Sequence, residues 1–73
     1  MFNFPCRATV EQIRSKYPKG TRVRLVSMDD RQAPPKGTLG TVYGVDDAGS
    51  ILVHWDTGSS LSVIYNVDVC EIV

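Results

Sequence analysis

The chain predicts a mainly β protein, a small five-stranded barrel preceded by one short N-terminal α-helix. Three observations carry that expectation. A segment near the start repeats apolar residues at helical spacing, and everything after Gly20 alternates apolar and polar residues in the manner of strands. Gly, Asp and Pro punctuate that alternation at intervals of about ten residues. Seventy-three residues form one domain, 1–73, with room for a single core. A chain this short buries only about 60% of the surface its unfolded form exposes, which leaves little space for a deep enclosed active site.

The helix is expected over about residues 9–17. Thr9 and Gln12 have the spacing of a capping box, and Val10, Ile13 and Tyr17 form one apolar stripe. Pro18 forbids continuation and Gly20 provides the exit. Two turns of helix are too short to stand alone, so the stripe must pack on the rest.

The barrel is expected over about residues 21–73. In "TRVRLVSM", Val23 and Leu25 share one face while Arg22 and Arg24 share the other. A polar loop stiffened by Pro34 and Pro35 follows, then "TLGTVYGVDD", with Gly40 and Gly44 where a bulge or close backbone approach is expected. Asp47 and Gly49 suit a tight hairpin leading into "SILVHW", where Ile51, Val53 and Trp55 face the core. "LSVIY" and "VDVCEIV" complete the five strands. Five short strands with Gly-rich turns fit an SH3-like barrel, with the helix packed across an open end or edge.

"HWDTGSSLSV" reads at first like the active-site loop of an aspartic protease. That chemistry needs two carboxylates about 3 Å apart sharing one proton. The chain holds one Asp-Thr-Gly, and only ten residues follow Val63, too few for the second half of such a site. Asp56 is therefore expected to be a hairpin corner, its carboxylate bonding backbone amides beside a positive-φ Gly58. No catalytic constellation emerges elsewhere, because His54, the sole histidine, has no evident nucleophile beside it. The chain is expected not to be an enzyme and to use no cofactor.

Cys6 and Cys70 are expected to be free thiols, and no Cys/His cluster suggests a metal site. The pairs Asp29-Asp30 and Asp46-Asp47 match no regular cation loop and read as turn formers. No apolar run approaches the ~18–20 residues that cross a bilayer, and the first residues lack a secretion-signal layout. A cytoplasmic protein is expected, with no membrane partner.

Net charge is zero, yet it is unevenly spread. Residues 1–28 carry six Lys or Arg against Glu11, and residues 29–73 carry Arg31 and Lys36 against seven acids. Such asymmetry can mark an anion-binding face or complementary surfaces in an oligomer. Arg22 and Arg24, with Tyr43 and His54 on a neighbouring strand, form a candidate basic and aromatic platform. The loop residues Met28, Asp29, Asp30, Arg31 and Gln32 complete the candidate ligand-binding set. The prolines beside them hold the loop in one shape, which suits recognition.

The segments "YPKGTRVRLVSMDD" and "APPKGTLGTVYGVDDAGSILVHWDTGSSLSV" resemble a family of small uncharacterised proteins frequent in bacteriophages, mobile elements and Gram-positive hosts. The resemblance runs from about Phe4 onward, with Arg31 standing where members often carry proline. It implies an accessory protein acting inside a bacterial cell. More distantly, Gly-Thr-Leu-Gly-Thr-Val followed by Val-His-Trp-Asp is similar to SH3-like modules that bind nucleic acid or proteins. The resulting expectation is a non-enzymatic binding protein that interferes with host antiviral defence by sequestering a small anionic, nucleotide-type signal in a homo-oligomer. The alternatives are a host-protein partner and, less favoured at zero net charge, nucleic acid.

Overall fold

An apolar stripe at helical spacing forms α1, Arg7–Lys16, in a computed structural model that describes residues 5–73. Val10 is buried, while Ile13 and Tyr17 pack against the core. The helix starts earlier than the expected capping box. Cys6 is the N-cap residue, with extended backbone (φ −69°, ψ 164°) and no side-chain cap. Thr9 therefore lies in the first turn, because Arg7 and Ala8 are good helix formers and extend the helix toward Pro5. At the other end Tyr17 donates its N–H to Ile13 O at 2.9 Å and leaves helical geometry, as the residue before a proline tends to.

Four strands follow: β1 (Arg22–Ser27), β2 (Leu39–Val45), β3 (Ile51–Trp55) and β4 (Val69–Ile72). They form one antiparallel sheet in the order β3-β2-β1-β4. The expected five-stranded barrel is thus corrected to four strands in an open sheet. The segment "LSVIY", expected as the fourth of the five strands, makes only one bridge. Val63 and Ile51 exchange two backbone hydrogen bonds of 2.8 and 2.9 Å, and the ladder stops there. Beyond it the Asp68 carboxylate accepts from the Ile64 N–H at 2.9 Å, and Ile64 O accepts from the N–H groups of Val67 and Asp68. With Asn66 in a left-handed conformation (φ 64°), this turn bends the chain directly after Val63, so the pairing with β3 does not continue.

Alternation places Val23, Leu25, Val42, Val53 and Trp55 on one face of the sheet, where with Ile51 and Val63 they form the core. Trp55 is buried as expected, and its indole Nε1–H donates to Leu61 O at 2.8 Å. Gly40 is required by close packing: a Cβ there would stand 2.5 Å from Val53 Cγ1 and 2.7 Å from Trp55 Cε3. The register shifts between Val42 and Gly44, which places the expected bulge at Tyr43.

The β2–β3 turn is held by Asp46 rather than by Asp47. Its Oδ1 accepts from the N–H groups of Ala48 and Ser50, at 3.0 and 2.9 Å. Asp47 instead receives the Arg14 guanidinium at 2.9 Å, tying α1 to the hairpin.

Candidate functional site

The face opposite the core is assembled by the same alternation. Arg22 and Arg24 on β1 point away from buried Val23 and Leu25, so they share this face with Thr41, Tyr43, His54 and Glu71. Arg22 lies opposite Thr41, which lies opposite His54. The bulge at Tyr43 lets its ring stack on the His54 imidazole, with centroids 4.1 Å apart and planes 19° apart.

Arg22 is held on three sides. Its Nη1 donates to Thr41 Oγ1 at 2.9 Å and to Asp56 Oδ1 at 3.0 Å, and its Nη2 donates to Asp56 Oδ2 at 2.8 Å. Hydrogen bonds from Arg22 hold the Asp56 carboxyl below its ordinary pKa and raise the guanidinium's own. The expected role of Asp56 is corrected in part. It does stand at the corner after β3, but its carboxylate binds the arginine rather than turn amides, because β1 and β2 bring Arg22 within reach. The pairing uses the end of the guanidinium. Its side edge, Nε with the second Nη2 hydrogen, has no partner among the described residues, and the side chain remains 41% exposed. Arg24 stands 3.4 Å from Glu71 across the β1–β4 ladder.

The sequence-predicted site therefore splits in two. Arg22, Arg24, Tyr43 and His54 share one face. Among the described residues, no hydrogen bond or ion pair connects the Met28–Gln32 loop to them. Met28 turns inward and packs against the core. The Asp29 N–H donates to Asp68 Oδ1 at 2.8 Å, and Asp30 Oδ1 accepts from the Gln32 N–H at 2.8 Å. Arg31 and Gln32 remain exposed. These bonds, with Pro34 buried, anchor the loop.

Thr41, Asp56 and Glu71 were not foreseen as partners of the arginines. Strand parity was the available signal for Thr41 and Glu71, since both alternate outward beside the arginines. For Asp56 no local signal existed.

Elsewhere, a cleft of about 390 Å³ opens between α1 and the β2–β3 turn, lined by Pro5, Arg7, Val10, Glu11, Arg14 and Asp47. Its two arginines face two acids, with Arg14 bound to Asp47, so it offers no net charge to a ligand. Both cysteines are free. Among the described residues no group of three His, Cys, Asp or Glu gathers to hold a metal ion, and no helix is long and apolar enough to cross a membrane.

The fold and this face define a small β protein that presents a fixed arginine beside an aromatic stack. The family model "Domain of unknown function (DUF4314)" matches residues 6–73, and the chain belongs to that family. No curated protein and no solved structure matches the chain.

Proposed function

We propose that this is a non-enzymatic binding protein whose outer sheet face takes a small anionic ligand of nucleotide type. The single observation that carries this reading is the state of Arg22. Asp56 and Thr41 fix its guanidinium, while the Nε/Nη2 edge is left open as a two-donor fork. A fork of that shape matches a phosphate or carboxylate in bidentate fashion, and its immobilisation removes entropy that binding would otherwise cost. The Asp56 carboxylate need not be displaced. His54 and Tyr43, stacked across the neighbouring strands, supply a flat aromatic edge for a base. Arg24, loosely paired to Glu71, adds a second cation on the same face.

The resemblance to proteins of phages and mobile elements supports a setting in which such binding withdraws a host antiviral signal, with a homo-oligomer completing the enclosure. An SH3-like module is a second reading. It is favoured by the strand order together with the Val63 bridge on β3, and it would make nucleic acid or a host protein the target.

Native mass spectrometry with a panel of cyclic and linear nucleotides and short oligonucleotides tests the proposal. One ligand mass per site, lost in R22K, is the expected result, because lysine keeps the charge and removes the fork. Uptake of nothing, or equal uptake by R22K, would overturn it.

A further inference from the structure

The sheet ends at β4, and its open edge has a specific chemistry. Val73 donates its N–H to Arg22 O at 3.1 Å, and the pairs Arg24 with Glu71 and Leu25 with Cys70 continue the ladder. In an antiparallel ladder alternate residues turn both backbone groups to the same neighbour. Val73 and Glu71 therefore face β1. Cys70 and Ile72 turn N–H and C=O outward, where no partner stands among the described residues.

Edge strands are usually guarded by charge, proline or a bulge that twists them away. Here the side chains at that edge are apolar and about half exposed, namely Val67, Val69, Ile72 and Val73, with Val26 beside them on β1. Glu71 is the one charge within β4, and it leans toward Arg24. Four outward backbone groups spaced along an extended strand match the ladder of another extended strand, which would bond them in place of water. An antiparallel partner that bonds both Cys70 and Ile72 places one residue directly opposite Glu71, at about 4.5 Å between Cα atoms.

That geometry chooses between occupants. In a second copy of this chain, the two-fold register that satisfies all four groups sets Glu71 against Glu71, and like charges directly opposite are destabilising. A heterologous strand with a cation at that position gains where the second copy loses. We propose that the β4 edge is a docking site for an extended strand of another protein. The strand carries Lys or Arg opposite Glu71 and an apolar residue on either side, packed on Cys70 and Ile72. This site is separate from the ligand-binding reading and does not rest on it.

The test is to pan a display library of random dodecapeptides against the protein and follow amide hydrogen exchange with the selected peptides. Selected sequences should alternate apolar and polar residues with a central Lys or Arg, and exchange at Cys70 and Ile72 should slow by about tenfold or more. The charge-swapped R24E/E71K variant keeps an internal ion pair and should select Asp or Glu instead. Three outcomes would overturn the proposal: selected peptides that leave those two amides unprotected, selection with no charge preference, and protection that rises with protein concentration in the absence of peptide. The last would assign the edge to a second copy.

Discussion

Arg22 and Asp56, 34 residues apart in the chain, meet on the outer sheet face through two hydrogen bonds of 3.0 and 2.8 Å. The contact joins β1 to the corner after β3, across the intervening β2, where Thr41 accepts a third bond. It ties β1, β2 and β3 into one unit on the side away from the core.

Acid should release that unit. Because Arg22 holds the Asp56 carboxyl below its ordinary pKa, the pair's contribution is present above the ordinary carboxylate value, about 3.9. It is lost as pH falls through the depressed folded value. In urea titrations D56N should be less stable than the native chain at neutral pH, and the gap should close at strongly acidic pH. A gap that widened on acidification would contradict the assignment. The pair is exposed, so high salt should narrow the difference at any pH.

Close approach at Gly40 predicts a sharp contrast between two glycines of one strand. A methyl group at Gly40 meets Val53 and Trp55, both fully packed, so G40A should cost about 1–3 kcal/mol in urea denaturation. At Gly44 the nearest contact is Leu52 Cδ1 at an ordinary 3.6 Å, and G44A should stay within about 0.5 kcal/mol of the native value.

The two thiols should differ in reactivity. Cys6 is exposed, and its hydrogen bond with the Thr9 hydroxyl, 3.4 Å away, holds its pKa below the ordinary thiol value. Burial pushes the Cys70 thiol up, only partly offset by Lys16 and Tyr17. Thiolate is the reacting form, so Ellman's reagent near neutral pH should modify Cys6 first, with Cys70 following more slowly. T9V should slow the fast phase and leave the slow one unchanged.

Asp68 is expected to organise two segments at once. Its carboxylate accepts from Asp29 N–H at 2.8 Å and from Ile64 N–H at 2.9 Å, clamping the β1–β2 loop to the turn before β4. Replacement by Ala should cost about 1 kcal/mol. Amide exchange should accelerate at Asp29 and Ile64 together, whereas a purely local effect would spare Asp29.

What could be read from the residues follows the range of the forces involved. The stripe of Val10, Ile13 and Tyr17 and the alternation of Val23 with Arg24 are local periodicities, and both appear in the fold. The outward positions of Arg22, Arg24, Tyr43 and His54 were legible for the same reason. Leu61 to Tyr65 alternates just as well and is not a strand. Only Val63 pairs with β3; Ile64 is drawn into a turn that Asp68 closes, and a competing carboxylate leaves no trace in apolar periodicity. The arginines' partners depend on register across the sheet, which alternation within one strand does not specify. Met28 borders a polar loop in the sequence, and only the packed fold shows it facing the core.

Placing β1 in the middle of the sheet has a consequence for how the chain comes to fold. One of its neighbours, β2, follows soon after it, but the other is β4, so Val23 waits for Ile72 across most of the sequence. Pairings of such long sequence separation close late and slowly. A nascent chain that has made the helix and the first hairpin still carries an unzipped central strand. Folding to completion is then an event that follows synthesis of residues 69–72, and loss of even those few would leave the centre of the sheet exposed.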